Sequence, residues 1–269
     1  MDIHLFSTDI SGLELLSSLP RDQHVTCLIV PSNRIDAMKV KRFVKAANAR
    51  GLPVYVHRRG QGLGSNIPSA HAALSWLYSQ IISENDLDNY PRGILNMHGG
   101  KIPEYRGAST LQWAIINGED EIGITWHKIV GEVDAGPIWA ESTIPIPPGA
   151  TAEEMRKAMI LEGLRLFPRA WARFCNPSAV PRYPELGKGH VWRQRKPEDG
   201  KIKRGWSARQ LQDMVRALCP PWPAAYLQTA QGKLLIEKVI EAYEPGCVTY
   251  HTGDKKTIYL RPISEASTH

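Results

Sequence analysis

Val25-Thr26-Cys27-Leu28-Ile29-Val30 is a strand-like run rich in β-branched residues, and Pro53-Val54-Tyr55-Val56 repeats the signal. Between them, Ile35 to Ala49 carries Met38, Phe43, Val44 and Ala47 near helical spacing, with Gly51 as its stop. Strand, helix and strand in direct succession make a βαβ unit, whose two strands run parallel. Working outward, Ile3 to Ser7 supplies a strand before this unit, and Ala73 to Tyr78 and Gly93 to Asn96 supply two after it. The expected fold class is α/β, with a Rossmann-like, doubly wound, mostly parallel sheet. In such sheets ligands bind beyond the carboxyl ends of the strands, which directs attention to the residues after Gly93.

Farther along, Ala108 to Asn117 reads as a helix stopped by Gly118, and Ile122 to Val130 and Pro137 to Ile146 read as strands. Thr151-Ala152-Glu153-Glu154 is a capping box that opens a helix with Met155, Ala158, Leu161, Leu164, Trp171 and Phe174 on one apolar stripe. Asn176-Pro177-Ser178 ends that helix, and Pro181 to Gly189 has the composition of a linker. A short helix spans Ser207 to Leu218. Strand-like runs at Ala225 to Gln228, Lys233 to Ile240 and Thr257 to Arg261 come next, which suggests a smaller β-rich, barrel-like C-terminal module. The expected division is a catalytic domain over 1–180 and this module over 189–265.

Composition narrows the function classes. With 42% apolar and 22% charged residues the chain is neither disordered nor fibrous. No apolar run approaches the roughly 18 residues of a membrane span, and Met1-Asp2-Ile3-His4 has no basic leader, so a cytoplasmic protein without membrane association is expected. Cys27, Cys175, Cys219 and Cys247 lack metal-ligand spacing, so neither a disulfide framework nor a metal is expected. The net charge of +6 favours anionic partners. The basic clusters His57-Arg58-Arg59 and Arg193-Gln194-Arg195-Lys196 match no nucleic-acid module, which argues against nucleic acid as a partner. Gly60-Gln61-Gly62-Leu63-Gly64 lacks the GxGxxG spacing and reads as a surface loop, which disfavours a nicotinamide-linked oxidoreductase.

Chemistry concentrates in Asn96-Met97-His98-Gly99-Gly100-Lys101-Ile102-Pro103-Glu104-Tyr105-Arg106-Gly107 and in Gly131-Glu132-Val133-Asp134-Ala135-Gly136. Asn96 and His98 are two apart at a strand end, so their side chains leave on one face. An amide donor beside an imidazole suits acyl or formyl transfer, where an oxyanion develops while the attacking amine loses a proton. Asp134 could orient the imidazole or a bridging water. A hydrogen-bonded strand-end histidine and a turn aspartate are the bland readings of the same residues.

Asn96-x-His98, Pro103-x-Tyr105-Arg106-Gly107, Trp113-Ala114-Ile115-Ile116-Asn117-Gly118-Glu119, Gly123-x-Thr125-x-His127 and Val133-Asp134-Ala135-Gly136, in this order, resemble the signature of the N10-formyltetrahydrofolate-dependent formyltransferases. The resemblance implies that Asn96, His98 and Asp134 are the catalytic set and that N10-formyltetrahydrofolate is a consumed cosubstrate, with no metal. It implies that the backbone of Ile129, Val130, Gly131, Glu132 and Val133 receives the pterin ring, with Tyr78, Gln80 and Ile82 forming the other wall. Gly99-Gly100-Lys101 departs from the family pattern, in which a Ser and a Leu more often precede the Ile-Pro or Leu-Pro pair. That departure bears on the acceptor side, where Lys101, Tyr105 and Arg106 are the candidates and Lys101 could meet an acceptor phosphate.

Arg195 to Gly200, Val215-Arg216-Ala217 and Pro221-Trp222-Pro223-Ala224-Ala225 resemble the C-terminal module of methionyl-tRNA and amino-sugar formyltransferases. Pro31 to Arg42 lacks the long basic insertion of the tRNA enzymes, so the implied acceptor is a small-molecule amino-sugar nucleotide. Methionyl-tRNA or another small amine is the second reading, and an inactive folate- or nucleotide-binding regulator is a third. A homodimer is compatible with the sequence.

Overall fold

The computed structural model describes residues 1–32, 37–64 and 66–263. Strands β1 (Asp2–Ser7), β2 (His24–Pro31), β3 (Val54–His57), β4 (Ala72–Trp76) and β5 (Gly93–His98) alternate with α1 (Ala37–Asn48) and the one-turn α2 (Glu84–Leu87). The helix expected from Ile35 is present from Ala37, its first two residues lying outside the described residues. Then come the two-residue β6 (Arg106–Gly107), α3 (Thr110–Ile116), β7 (Glu121–Lys128), β8 (Ile138–Pro145) and α4 (Ala152–Cys175). The remainder holds β9 (Val191–Trp192), α5 (Ala208–Ala217), β10 (Ala225–Thr229), β11 (Gly232–Ile240), β12 (Val248–His251) and β13 (Thr257–Pro262).

The main sheet runs β3-β2-β1-β4-β5-β7-β8, with β3, β2, β1, β4 and β5 parallel and β5 antiparallel to β7. Strand order reverses at β1, the topology in which ligand sites form beyond the carboxyl ends of the strands. The expected α/β class with a mostly parallel sheet is what the chain adopts. One face of the sheet buries Phe6, Cys27, Ile29, Ala73, Tyr90 and Ile94 together. Against the other lies α4, brought close by Gly163, where a Cβ would stand 3.0 Å from the Trp76 ring. Trp126 donates to the Gly163 carbonyl at 2.9 Å from that same side.

The expected stripe on α4 shifts in phase. Met155, Met159, Leu166, Phe167, Ala170, Trp171 and Phe174 are buried, whereas Leu161 is 67% exposed. Packing selects a band at i, i+4, i+11 and i+12 from Met155, and Leu161 falls off it. The strand expected to reach Tyr78 ends at Trp76, because Leu77 turns the chain with φ of 49°. Pro181 to Gly189 is tied down rather than loose, since Arg182 and Ile138 exchange both backbone hydrogen bonds.

The chain divides into two compact units. One comprises Met1–Arg106, Gly123–Thr143 and Ile160–His190, and the other Gly107–Ile122, Ile144–Met159 and the chain from Val191 onward. In the second, Ser207 and Gln210 form a capping box on α5, and β10-β11-β13-β12 form an antiparallel sheet. The β-rich module thus has one more strand than expected. β12 escapes a reading of the sequence because Val248, Thr249 and His251 are exposed and show no alternation. Among the described residues no helix is long and apolar enough to cross a membrane.

A titrating group sits in the core. His4 on β1 is 2% exposed, with Nδ1 2.9 Å from the Tyr90 hydroxyl. Burial lowers its pKa from 6.5 to about 4, against an opposing pull from the Asp2 carboxylate. The unfolded chain therefore binds a proton between those values that the folded chain refuses, so stability falls as pH drops from 6.5 towards 4. The loss is on the order of 3 kcal/mol at one pKa unit per 1.36 kcal/mol. His4→Asn should flatten the Tm-against-pH curve over that range, and an unchanged slope would assign the acid sensitivity to other groups.

Candidate active site

The site begins with strand register. β5 and β7 pair antiparallel with Asn96 opposite His127 and His98 opposite Thr125. Directly opposed residues share a face, so these four polar side chains form a two-by-two array. The alternate residues, Met97 and Trp126, point at Gly163 on α4. His98, Thr125 and His127 are buried, and buried polar groups need partners.

The partners are within the array. His127 Nδ1 lies 3.1 Å from the Lys128 carbonyl, which can only accept, so that nitrogen carries a proton. Nε2 of the same ring lies 3.1 Å from Asn96 Nδ2. Asp134 reaches between the rings, with Oδ1 3.3 Å from His127 Nε2 and Oδ2 3.4 Å from His98 Nδ1. His98 Nε2 donates to the Tyr105 carbonyl at 2.6 Å. His98 thus lies between a backbone carbonyl on one side and a carboxylate on the other. Asn96, His98 and Asp134, separated in sequence, converge as expected.

Two local features make this geometry accessible. A Cβ on Gly100 would stand 2.3 Å from the Tyr105 carbonyl and 2.5 Å from His98 Nε2. Glycine at this departure from the family pattern therefore lets His98 reach that carbonyl. Thr125 closes the same turn by donating to the Gly100 carbonyl at 2.8 Å.

The loop that carries Asp134 is held from three sides. Ile129 N donates to the Ile94 carbonyl at 2.9 Å, and a Cβ on Gly136 would overlap the Lys128 carbonyl. The third hold is Arg106, which is 4% exposed. Its Nε donates to the Val133 carbonyl at 2.9 Å, and its guanidinium pairs with the Glu132 carboxylate. Arg106 therefore points at the 132–134 loop, and Asp134, with φ of 45°, comes directly after its two anchor points. Of the other acceptor-side candidates, Tyr105 contributes its carbonyl to His98, and Lys101 is exposed beside Gly123.

The two segments expected to flank a pterin ring also come together. Tyr78 and Ile129 pack on the same buried cluster, which includes Ile82, and Gly131 adjoins the Glu84 carboxylate. Behind them runs a network that sequence reading missed. The Tyr78 hydroxyl is 2.8 Å from His57 Nδ1, and His57 Nε2 is 3.7 Å from Asp86. Asp86 accepts from Ser83 Oγ at 2.6 Å and from Leu63 N at 2.7 Å, which anchors the exposed Gly60 to Gly64 loop. Burial pushes the His57 pKa down, opposed by Asp86, and pushes the Tyr78 hydroxyl up, aided by Asp86. Gln80 Nε2 donates to the His57 carbonyl at 3.3 Å, while its Oε1 is buried without a partner.

His127 stands in a motif of the sequence that assigned it no role. Period-two alternation places it on the face of Thr125, but its position opposite Asn96 depends on register between strands distant in sequence.

Residues 63–171 match the Formyl transferase family, and residues 195–258 match the Formyl transferase, C-terminal domain family. Among solved structures, WlaRD, a sugar 3N-formyl transferase solved with dTDP and 5-N-formyl-THF, aligns with a TM-score of 0.72 at 17% identity, covering 98% of each chain. The N-formyltransferase of Helicobacter canadensis, in complex with folinic acid and dTDP-3-aminofucose, aligns at 0.72 and 16% identity, covering 97% of this chain and 99% of that one. Methionyl-tRNA formyltransferase from Clostridium thermocellum aligns at 0.62 and 20% identity, covering 98% and 99%. HypX from Aquifex aeolicus aligns at 0.64 and 18% over 97% of this chain, which spans 43% of HypX. At these identities the alignments speak to fold alone. The two family matches together cover more than half of the chain and take in the paired strands, the Asp134 loop and most of the C-terminal sheet, and the chain belongs to the formyl transferase family.

Proposed function

We propose that this formyltransferase moves a formyl group from N10-formyltetrahydrofolate to the primary amine of a nucleotide-linked amino-deoxy sugar, with Asn96, His98 and Asp134 as its catalytic residues. The observation that carries the reading is the Asp134 carboxylate lying within 3.4 Å of both His98 and His127, with Asn96 on the same face. The cosubstrate and acceptor classes draw support from two structures of like fold, solved with formylated folates and with dTDP or a dTDP-linked amino sugar.

The neutral amine attacks the formyl carbon. Asn96 Nδ2, released from His127, donates to the oxygen as negative charge develops there. The proton lost by the amine passes through His98, oriented by Asp134, to the departing N10 nitrogen, and tetrahydrofolate leaves. The carbon–nitrogen bond formed replaces the one broken, so no further reactant is needed. Tyr78, Gln80 and Ile82 form one wall of the folate pocket, and Ile129, Val130, Gly131, Glu132 and Val133 the other. The Ile82 side chain is committed to the core, so its backbone is the part that meets ligand. Lys101 and Tyr105 lie on the acceptor side. Arg106 acts through the Asp134 loop. The working division is a formyl-transfer domain over 1–180 with an appended module over 189–265.

A screen of dTDP-, UDP- and GDP-linked amino sugars with N10-formyltetrahydrofolate, read by product mass, tests the acceptor. Wild type should add one formyl group to at least one of them, and His98→Ala should abolish it. Formylation of methionyl-tRNA with none of the sugars modified would replace the acceptor. Arg106→Ala should lower kcat by about tenfold to a hundredfold, because a misplaced loop costs orientation, with acceptor KM nearly unchanged. A raised acceptor KM with unchanged kcat would make Arg106 a substrate contact instead.

A further inference from the structure

Asp86 is 2% exposed, and burying a carboxylate is costly unless each oxygen finds a partner. Both oxygens are satisfied here. Oδ1 accepts from Leu63 N at 2.7 Å, while Oδ2 accepts from Ser83 Oγ at 2.6 Å and faces His57 Nε2 at 3.7 Å. These partners come from the Gly60 to Gly64 loop, the N-cap of α2 and the end of β3, all within the unit built on the main sheet.

Each partner leads to part of the pocket assigned above to formylfolate. Through its other nitrogen, His57 Nδ1, the imidazole lies 2.8 Å from the Tyr78 hydroxyl, and the two rings stack with planes 3° apart. Phe6 packs edge-on against the Tyr78 ring at 5.3 Å, so that ring is fixed on its face and at its hydroxyl. The His57 carbonyl accepts from Gln80 Nε2 at 3.3 Å, which ties down a second residue of the same wall. Ser83 directly follows Ile82, and its Oγ accepts from Asp86 N at 3.3 Å, which closes the turn at that end of the wall. One residue into α2, Glu84 stands against Gly131 of the opposite wall, where a Cβ would overlap its carboxylate.

His57 and Asp86 do not form a second reacting pair. His57 is 3% exposed with both nitrogens turned to protein groups, so neither residue is presented to a ligand. To hold the Gly60 to Gly64 loop alone, Asp86 would need only Leu63 N. The run through His57 ends instead on Tyr78, a residue of the pocket wall.

We propose that Asp86 is a positioning residue for formylfolate: through His57 and the turn at Ser83 it sets the Tyr78 wall of the pocket, and with it the affinity for the cosubstrate. The inference rests on the folate pocket of the proposed function and adds to it a buried support behind the residues that line it. Asparagine offers one acceptor oxygen in place of two, so Asp86→Asn gives up Ser83 Oγ or Leu63 N as a partner and loses the charge facing His57.

Binding of 5-formyltetrahydrofolate to the full chain, measured by calorimetry, tests this with Asp86→Asn, Tyr78→Phe and the double variant. Each single variant should weaken binding by about tenfold and the double variant by no more than about twentyfold, because both changes break one chain of contacts. Wild-type affinity in Asp86→Asn, with or without a lowered Tm, would make Asp86 a stability residue alone and overturn the proposal. Two effects that multiply in full would also overturn it. Ser83→Ala removes only the hydroxyl and carries the same test should Asp86→Asn fail to fold: about threefold weaker binding is expected, and wild-type affinity contradicts the assignment. With the amine that wild type formylates, Asp86→Asn should raise formylfolate KM by about tenfold with kcat little changed. A fall in kcat alone would move the effect to the reacting centre and overturn the assignment. Wild type that binds no 5-formyltetrahydrofolate would remove the folate pocket itself and this role with it, an outcome distinct from a pocket indifferent to Asp86.

Discussion

A single carboxylate, that of Asp134, stands between two imidazoles, and much of the molecule is arranged so that it stays there. The imidazoles are not neighbours in sequence. They meet because β5 and β7 run antiparallel in a register that opposes Asn96 to His127 and His98 to Thr125. Slipping β7 by one residue against β5 would turn Thr125 and His127 into the α4 interface and bring Trp126 to the site in their place. The apolar fit of Met97 and Trp126 against Gly163 is thus a condition of the site's geometry as well as of stability.

The loop supplies the other half of the constraint. A carboxylate set between two rings keeps its place only if its backbone is held, because a mobile loop would trade its contacts for water. Arg106 provides the hold from below, through the Val133 carbonyl and Glu132, and Gly136 packs on Lys128 from above. Arg106 belongs to the same chain segment that gives His98 its backbone acceptor at Tyr105. One stretch, from Gly100 to Arg106, therefore orients both the imidazole and the carboxylate. Glycine at 100 is what lets that stretch approach so closely.

Much of the sheet could be read directly, because β1, β2, β4 and β5 are buried parallel strands and buried strands read as continuous apolar runs. Asn96 and His98 stood out for the same reason, as polar residues where such a run ends. What stayed hidden depends on distant partners. His127 gains its place from register, and the hold of Arg106 on the Val133 carbonyl and Glu132 depends on a fold that brings distant segments together. The His57–Asp86 pair joins residues whose spacing carries no signal. Leu161 was misread because helix periodicity fixes a stripe's width, whereas the packed sheet fixes its phase.

The central claim is that formyl transfer runs through the Asp134 carboxylate. Its most direct test is the single-turnover rate of formyl transfer by Asp134→Asn, with formylfolate affinity measured on the same protein. An amide keeps the shape and removes the charge that orients His98. The account predicts a rate lower by about a hundredfold or more, with formylfolate binding retained. A variant that transfers the formyl group at the wild-type rate would contradict it.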